Sequence, residues 1–157
     1  MSARPAAKVI TVSDGVAGGT REDRSGAALA ELLQGSGFEI AERRVIPGGA
    51  QEVAAALEVA AAGFAGLIVT TGGTGFGPRD ETPEGTKGVL EREAPGMAEA
   101  MRLANPLGRL SRATAGTRGE ALIVNVPGSA AGAVECLRAI IDVVPHALEL
   151  LAGGHPH

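Results

Sequence analysis

The chain has 157 residues, 45% hydrophobic and 20% charged, the make-up of one globular domain with enough length for a real core. A formal charge of -4, no Trp, no Tyr and three Phe argue against a basic nucleic-acid surface and against an aromatic stacking platform. No run reaches the roughly 18 apolar residues of a membrane helix, and residues 1–7 lack a signal-peptide core, so no membrane role and a cytoplasmic location are expected.

In chain order, Lys-Val-Ile-Thr-Val at 8–12 predicts a short buried strand, followed by a glycine-bearing loop over 13–22. Residues 23–34 carry apolar positions at helical spacing and close on Gly35 and Gly37. A second strand is expected over 38–46, ended by Pro47-Gly48-Gly49. An Ala-rich helix over 51–62 places Val53, Leu57 and Ala61 on one face, and Gly63 stops it. Residues 66–71 form the third strand. Pro83 and Pro95 then open two helices, 83–93 and 95–104, because proline suits a first helical position.

Residues 105–119 are irregular, hold Arg109, Arg112 and Arg118, and leave room for a small hairpin. Ala-Leu-Ile-Val-Asn-Val at 121–126 is the next buried strand, and Ser129 caps a helix running to about Val143. A last short helix over 145–151 precedes a tail. The alternation predicts an α/β fold: a three-layer α/β/α sandwich around a mostly parallel sheet. The chain 1–157 reads as one domain with tails at 1–7 and 152–157. Were the strands 66–71 and 121–126 neighbours, both following helix starts would face one crevice.

The stretch 70–84, Thr-Thr-Gly-Gly-Thr-Gly-Phe-Gly-Pro-Arg-Asp-Glu-Thr-Pro-Glu, carries the strongest functional signal. Its glycines let backbone N–H groups converge on a ligand, and the helix start behind them adds positive dipole, which suits phosphate. It is neither a Walker loop nor a clean Gly-x-Gly-x-x-Gly. Asp80 is either a loop stabiliser or a carboxylate for a divalent cation bound to triphosphate. Thr82 is the expected N-cap of the helix at Pro83. Ser13-Asp14 is either a turn or a ligand contact. Ser111 and Arg112 lie in an arginine-bearing loop suited to bidentate phosphate contacts.

Asn125, ending an apolar strand, reads as hydrogen-bonded structure, and His146 as structural. His155 and His157 have no partners at metal-ligand spacing. Cys136 sits among Ala133, Val134, Leu137 and Ile140, which predicts a buried, inert thiol.

Taken in order, these segments resemble the Mog/MoaB family of molybdenum-cofactor biosynthesis proteins, also found as domains of plant Cnx and animal gephyrin. The matching pieces are Thr-Val-Ser-Asp (11–14), Asp-Arg-Ser-Gly (23–26) and Thr-Gly-Gly-Thr-Gly-Phe-Gly-Pro-Arg-Asp (71–80) with Thr82-Pro83-Glu84. Leu-Ser-Arg (110–112), Ala115-Gly116, Arg118-Gly119, Asn125-x-Pro127-Gly128-Ser129 and Pro145-His146-Ala147-Leu148 complete the set.

The resemblance implies a MogA-like fold, a homotrimer, and a molybdopterin adenylyltransferase that uses ATP and Mg²⁺ and releases pyrophosphate. Its product would pass to a molybdate-insertion protein. It assigns Asp80 to catalysis and metal binding. Substrate contacts fall to Ser13, Asp14, Thr71, Gly72, Gly73, Thr74, Gly75, Arg79, Glu84, Ser111, Arg112, Asn125, Pro127, Gly128 and Ser129.

One position departs from the family pattern. Active members carry Pro-Asp-Glu or similar after the second strand, whereas this chain reads Ile46-Pro47-Gly48-Gly49. Gly48 therefore stands where a second acid is expected, unless Glu52 or Asp14 substitutes. A non-catalytic molybdopterin-binding scaffold is the alternative. Hydrolysis of free nucleotides ranks below both, because the related pyrophosphatase group carries Thr-Gly-Gly-Leu-Gly-Pro-Thr and paired acids.

Overall fold

A computed structural model describes residues 3–154. Six strands form one mixed sheet in the order β2-β1-β3-β6-β5-β4. They are β1 (Ala6–Val12), β2 (Glu39–Ile46), β3 (Gly66–Thr71), β4 (Arg92–Glu93), β5 (Ala115–Arg118) and β6 (Ala121–Val126). β2, β1, β3 and β6 run parallel, while β5 and β4 add an antiparallel edge. The hairpin allowed for within 105–119 is real in part: β5 turns through Gly119 and pairs back on β6.

The central strands β3 and β6 are buried throughout because alternate residues feed two cores. Val9, Leu67, Val69, Leu122 and Val124 face one core with Leu29 and Leu33 of α2 (Arg24–Gly35). Met101 of α5 (Pro95–Arg102), Leu137 of α6 (Ala130–Arg138) and Val144 of α7 (Val144–Leu151) join them. Ile10, Val12, Ile68 and Ile123 face the second core with Val53, Leu57 and Ala60 of α3 (Ala50–Ala61). The sandwich is thus the expected three-layer one.

Four local expectations need correction. A one-turn helix, α1 (Asp14–Ala17), interrupts the loop predicted over 13–22, capped by the Ser13 hydroxyl accepting from the Val16 N–H. The helix expected over 83–93 is α4 (Thr82–Lys87) and stops at Gly88, because Arg92 and Glu93 are drawn into the sheet as β4. The helix expected to run to Val143 ends at Arg138 and is followed by a 3₁₀ turn, Ile141–Val143.

The fourth concerns Thr82, which does not cap its helix. Its hydroxyl donates to the Gly72 carbonyl at 2.8 Å, and Glu81 holds the cap position without a side-chain bond. Ser129 does cap α6, accepting from the Gly132 N–H. Strand β1 begins at Ala6, inside the predicted tail, and His155 and His157 lie outside the described residues.

Candidate functional site

β1 pairs with β2 on one side and β3 on the other, so chain order reverses there, and β3 pairs in register with β6. At such a reversal the following loops diverge and leave a crevice beyond the strand ends. Here the crevice is double. A polar cleft of ≈ 990 Å³ is lined by Ser13, Asp14, Gly48, Arg79 and the segment 20–25. A more apolar cleft of ≈ 610 Å³ is lined by Met101, Leu107, Leu110, Ser111 and Cys136. Gly73, Asp80, Gly128 and Ser129 line both. The glycine loop and the α6 start therefore form the partition between two adjoining hollows.

The loop owes its path to close packing. Gly72 (φ +104°) and Gly73 (φ +71°) lie where L side chains are strained. A Cβ on Gly72 would stand 2.3 Å from the Val12 carbonyl oxygen, and one on Gly73 would stand 2.2 Å from the Thr82 hydroxyl. A Cβ on Gly128 would come within 3.3 Å of the Gly72 Cα, so the loops after β3 and β6 touch through glycine. The buried Thr71 hydroxyl donates to the Pro127 carbonyl at 2.8 Å and locks the two loops together.

The expectation that the whole run Gly72–Gly75 offers free amides needs one correction, since the Gly72 N–H donates to the Val126 carbonyl. Among the described residues no acceptor is present for the N–H groups of Gly73, Thr74 and Gly75. Asp80 accepts the Gly77 N–H at 2.8 Å through one carboxylate oxygen, which is the loop-stabilising role, and keeps its other oxygen unbonded among those residues. The two readings of Asp80 are thus compatible.

Arg112 is not the free phosphate anchor that the sequence suggests. Its Nε donates to Gly75 O at 2.8 Å, its Nη2 to Asp80 O at 2.6 Å and its Nη1 to the Glu84 carboxylate. The guanidinium holds Glu84 below the usual carboxylate range, and Glu84 in turn raises Arg112. Ser111 stays in the apolar cleft, its hydroxyl accepting the Ala113 N–H at 3.2 Å.

Asn125 is buried at 1% exposure, and its amide is fully taken up within the protein. It accepts the Thr114 N–H and donates to the Thr70 and Thr86 hydroxyls, so it joins β6 to its neighbours at the wall of the apolar cleft.

Asp14 and Arg79 meet across the polar cleft. Asp14 accepts Arg79 Nε at 3.2 Å, Nη2 at 3.1 Å and the Gly48 N–H at 3.0 Å. Arg79 first, and then the Gly48 amide, lower the Asp14 carboxyl below its ordinary range. A Cβ on Gly48 would lie 3.7 Å from an Asp14 carboxylate oxygen, so an acid already stands beside that position. Glu52 instead approaches Gly49.

Sequence reasoning missed the segment 20–25 as cleft wall. Asp23, which caps α2 and accepts from Thr11 and Arg43, lies there with Arg21 and Arg24. The Asp-Arg-Ser-Gly motif at 23–26 was the available signal. Cys136 is buried as expected, and burial raises its thiol pKa. Among the described residues no group of three or more His, Cys, Asp or Glu is arranged to hold a metal, and no helix is long and apolar enough to cross a membrane.

Two adjoining clefts lie beyond the strand ends of this α/β fold, divided by a glycine loop whose free amides have the geometry that suits an anion. The family described as "Probable molybdopterin binding domain" matches residues 8–146. The chain belongs to this molybdenum-cofactor biosynthesis family.

It is 43% identical over 93 residues to the molybdopterin adenylyltransferase of Helicobacter pylori strain J99, covering 57% of this chain and 53% of that protein. The chain thus spans about half the length of the first curated relatives it matches. It is 33% identical to the molybdopterin adenylyltransferase of Escherichia coli K12, covering 94% of this chain and 85% of that one. The crystal structure of the molybdopterin biosynthesis enzyme MoaB from Thermus thermophilus superposes with a TM-score of 0.89 at 44% identity, covering 95% of this chain and 97% of that one.

Proposed function

We propose that the chain is a molybdopterin adenylyltransferase, transferring AMP from ATP to the terminal phosphate of molybdopterin. The observation that carries this reading is the shared partition: Gly73, Asp80, Gly128 and Ser129 border both clefts, so two anionic substrates can meet across one loop. We assign the triphosphate to the polar cleft, where Arg21, Arg24 and Arg79 can contact phosphate oxygens and the acids Asp14, Glu22, Asp23 and Asp80 suit a cation carried in with it. Molybdopterin is assigned to the apolar cleft, its ring on Met101, Leu107 and Leu110 and its phosphate toward Ser111 and the α6 start.

An oxygen of the molybdopterin phosphate attacks the α-phosphorus of ATP, the bond to the β-phosphate oxygen breaks, and pyrophosphate leaves. No covalent nucleophile from the protein is needed, because in-line transfer depends on alignment and charge neutralisation. The bare N–H groups of Gly73, Thr74 and Gly75 and the N-terminal end of α6 supply fixed donors for phosphate oxygens.

The donor chemistry fits Mg²⁺, which is held by one or two carboxylates together with substrate phosphates. Asp80 would hold it through its unbonded oxygen, with Asp14 as the neighbouring acid, and the ion would neutralise charge on the leaving pyrophosphate.

A second reading, a molybdopterin-binding scaffold without chemistry, is motivated by Gly48, where the family resemblance leads one to expect Asp. Calorimetric titration tests the two-ligand claim. ATP with Mg²⁺ must still bind to protein saturated with molybdopterin; mutual exclusion would refute it.

Assembly belongs with this proposal. Leu103, outside the cleft lining, is strongly exposed, an apolar side chain that a trimer would cover. Sedimentation equilibrium giving a monomer would remove that part. A molybdate-insertion protein as recipient of the product follows from the same reading.

A further inference from the structure

We propose that Thr82 and Arg112 are positioning residues that shape the glycine loop into an anion-binding nest. Between them they satisfy every carbonyl from 72 to 75. The Thr82 hydroxyl donates to Gly72 O at 2.8 Å and the Thr82 N–H to Gly73 O at 3.0 Å. The Arg112 N–H donates to Thr74 O and its Nε to Gly75 O, both at 2.8 Å.

A trans peptide is planar, so a C=O pointing one way sends the following N–H the other way. Drawing four consecutive carbonyls onto Thr82 and Arg112 therefore turns the amides of Gly73, Thr74, Gly75 and Phe76 away from them, and these amides have no acceptor among the described residues. Successive N–H groups presented together bind an anion without any side-chain charge. Arg112 extends the hold past the C-terminal side of the loop through Asp80 O and the Glu84 carboxylate of α4. Its planar fork serves three separate acceptors here, which a lysine ammonium cannot match in geometry.

This rests on the assignment of a substrate phosphate to the glycine loop. It differs from that assignment in one respect: Thr82 is fully buried, at 0% exposure, so its influence on a ligand must travel through the loop.

The test uses the full chain and inorganic pyrophosphate as probe, with Thr82→Val, Thr82→Ser and Arg112→Lys compared with the parent. Titration calorimetry should show Thr82→Val and Arg112→Lys weakening binding by about tenfold or more, while Thr82→Ser, which keeps the hydroxyl, stays within about threefold. Backbone ¹⁵N order parameters for Gly73–Gly75 should fall from about 0.85 to below about 0.6 in the two weakened variants only.

Parent-like affinity and order in Thr82→Val would overturn the proposal. So would equal losses in Thr82→Ser and Thr82→Val, since volume rather than the hydroxyl would then be at work. If Thr82→Val does not fold, Arg112→Lys decides, because retained charge with retained affinity contradicts a geometric role. If the parent takes up no pyrophosphate, the phosphate assignment fails, and the order parameters alone decide the positioning claim.

Discussion

Arg79 holds Asp14 with two donors, Nε at 3.2 Å and Nη2 at 3.1 Å, and the same Nη2 reaches the Gly48 carbonyl at 3.0 Å. One guanidinium thus ties the exit of β1, the exit of β2 and the glycine loop after β3. An acid is thereby fixed beside Gly48, the position at which the family resemblance leads one to expect a second acid. Asp14→Asn should lower Mg²⁺-dependent turnover by about 10- to 100-fold, the range for loss of a charged hydrogen-bonding group. Adding Gly48→Asp to that variant should restore most of it, because the tightest contact of the new Cβ is the Arg79 carbonyl oxygen at 3.3 Å and its other neighbours stand at 3.7 Å. Steady-state kinetics on the single and double variants checks this; no recovery would show that the two positions are not equivalent.

The two ion pairs, Asp14–Arg79 and Glu84–Arg112, give the protein a weak acid sensitivity. Both carboxyls are lowered in the folded state, from ordinary values of 3.8 and 4.5. Their contribution is therefore complete above those values and disappears as pH falls through the lowered ones. Both acids are about half exposed, so solvent screens the effect. The thermal midpoint of the parent relative to Asp14→Asn/Glu84→Gln should be constant from about pH 8 to pH 5 and converge below about pH 4. A difference that grows on acidification would contradict the assignment.

Asp80 carries the sharpest prediction about chemistry. Asp80→Asn keeps an oxygen able to accept the Gly77 N–H, so the loop and molybdopterin affinity should survive. Product formation with Mg²⁺ and ATP should fall by about a thousandfold or more. Molybdopterin binding measured by fluorescence, beside pyrophosphate release, separates the two effects. Unchanged turnover would remove Asp80 from the metal role.

Stability should respond most at two places under the clefts. Asn125→Leu leaves the Thr114 N–H without its acceptor and removes a partner from the buried Thr70 and Thr86, which should cost about 3 kcal/mol or more. Gly73→Ala combines a positive φ with a clash on the Thr82 hydroxyl and should cost about 2 kcal/mol or more. Urea unfolding of each variant measures both. Losses under about 0.5 kcal/mol, ordinary for a surface change, would show that neither network matters.

The parts of this fold that are legible in the sequence are those whose signal is local. β3 and β6 match their predicted bounds, because unbroken apolar runs between glycine and proline loops leave few alternatives. The Ser129 cap is a three-residue relation and reads directly. The helix expected over 83–93 overruns its real end because what stops it is the pairing of Arg92 and Glu93 with β5, a strand well downstream.

Arg112 shows the same limit at the site. A loop arginine near a glycine-rich turn looks like a phosphate ligand, but its acceptors lie 37, 32 and 28 residues away. Only the tertiary fold reveals that it holds the loop. Thr82, a reasonable cap by sequence, is drawn off its helix start by a carbonyl 10 residues upstream.

The central claim is tested most directly by incubating the protein with molybdopterin, ATP and Mg²⁺ and following pyrophosphate together with the pterin product. The account predicts one pyrophosphate for each molybdopterin converted to its adenylyl derivative, and none when molybdopterin is left out. Molybdopterin bound without any pyrophosphate would contradict transfer in favour of a scaffold, and pyrophosphate formed without molybdopterin would contradict it in favour of nucleotide hydrolysis.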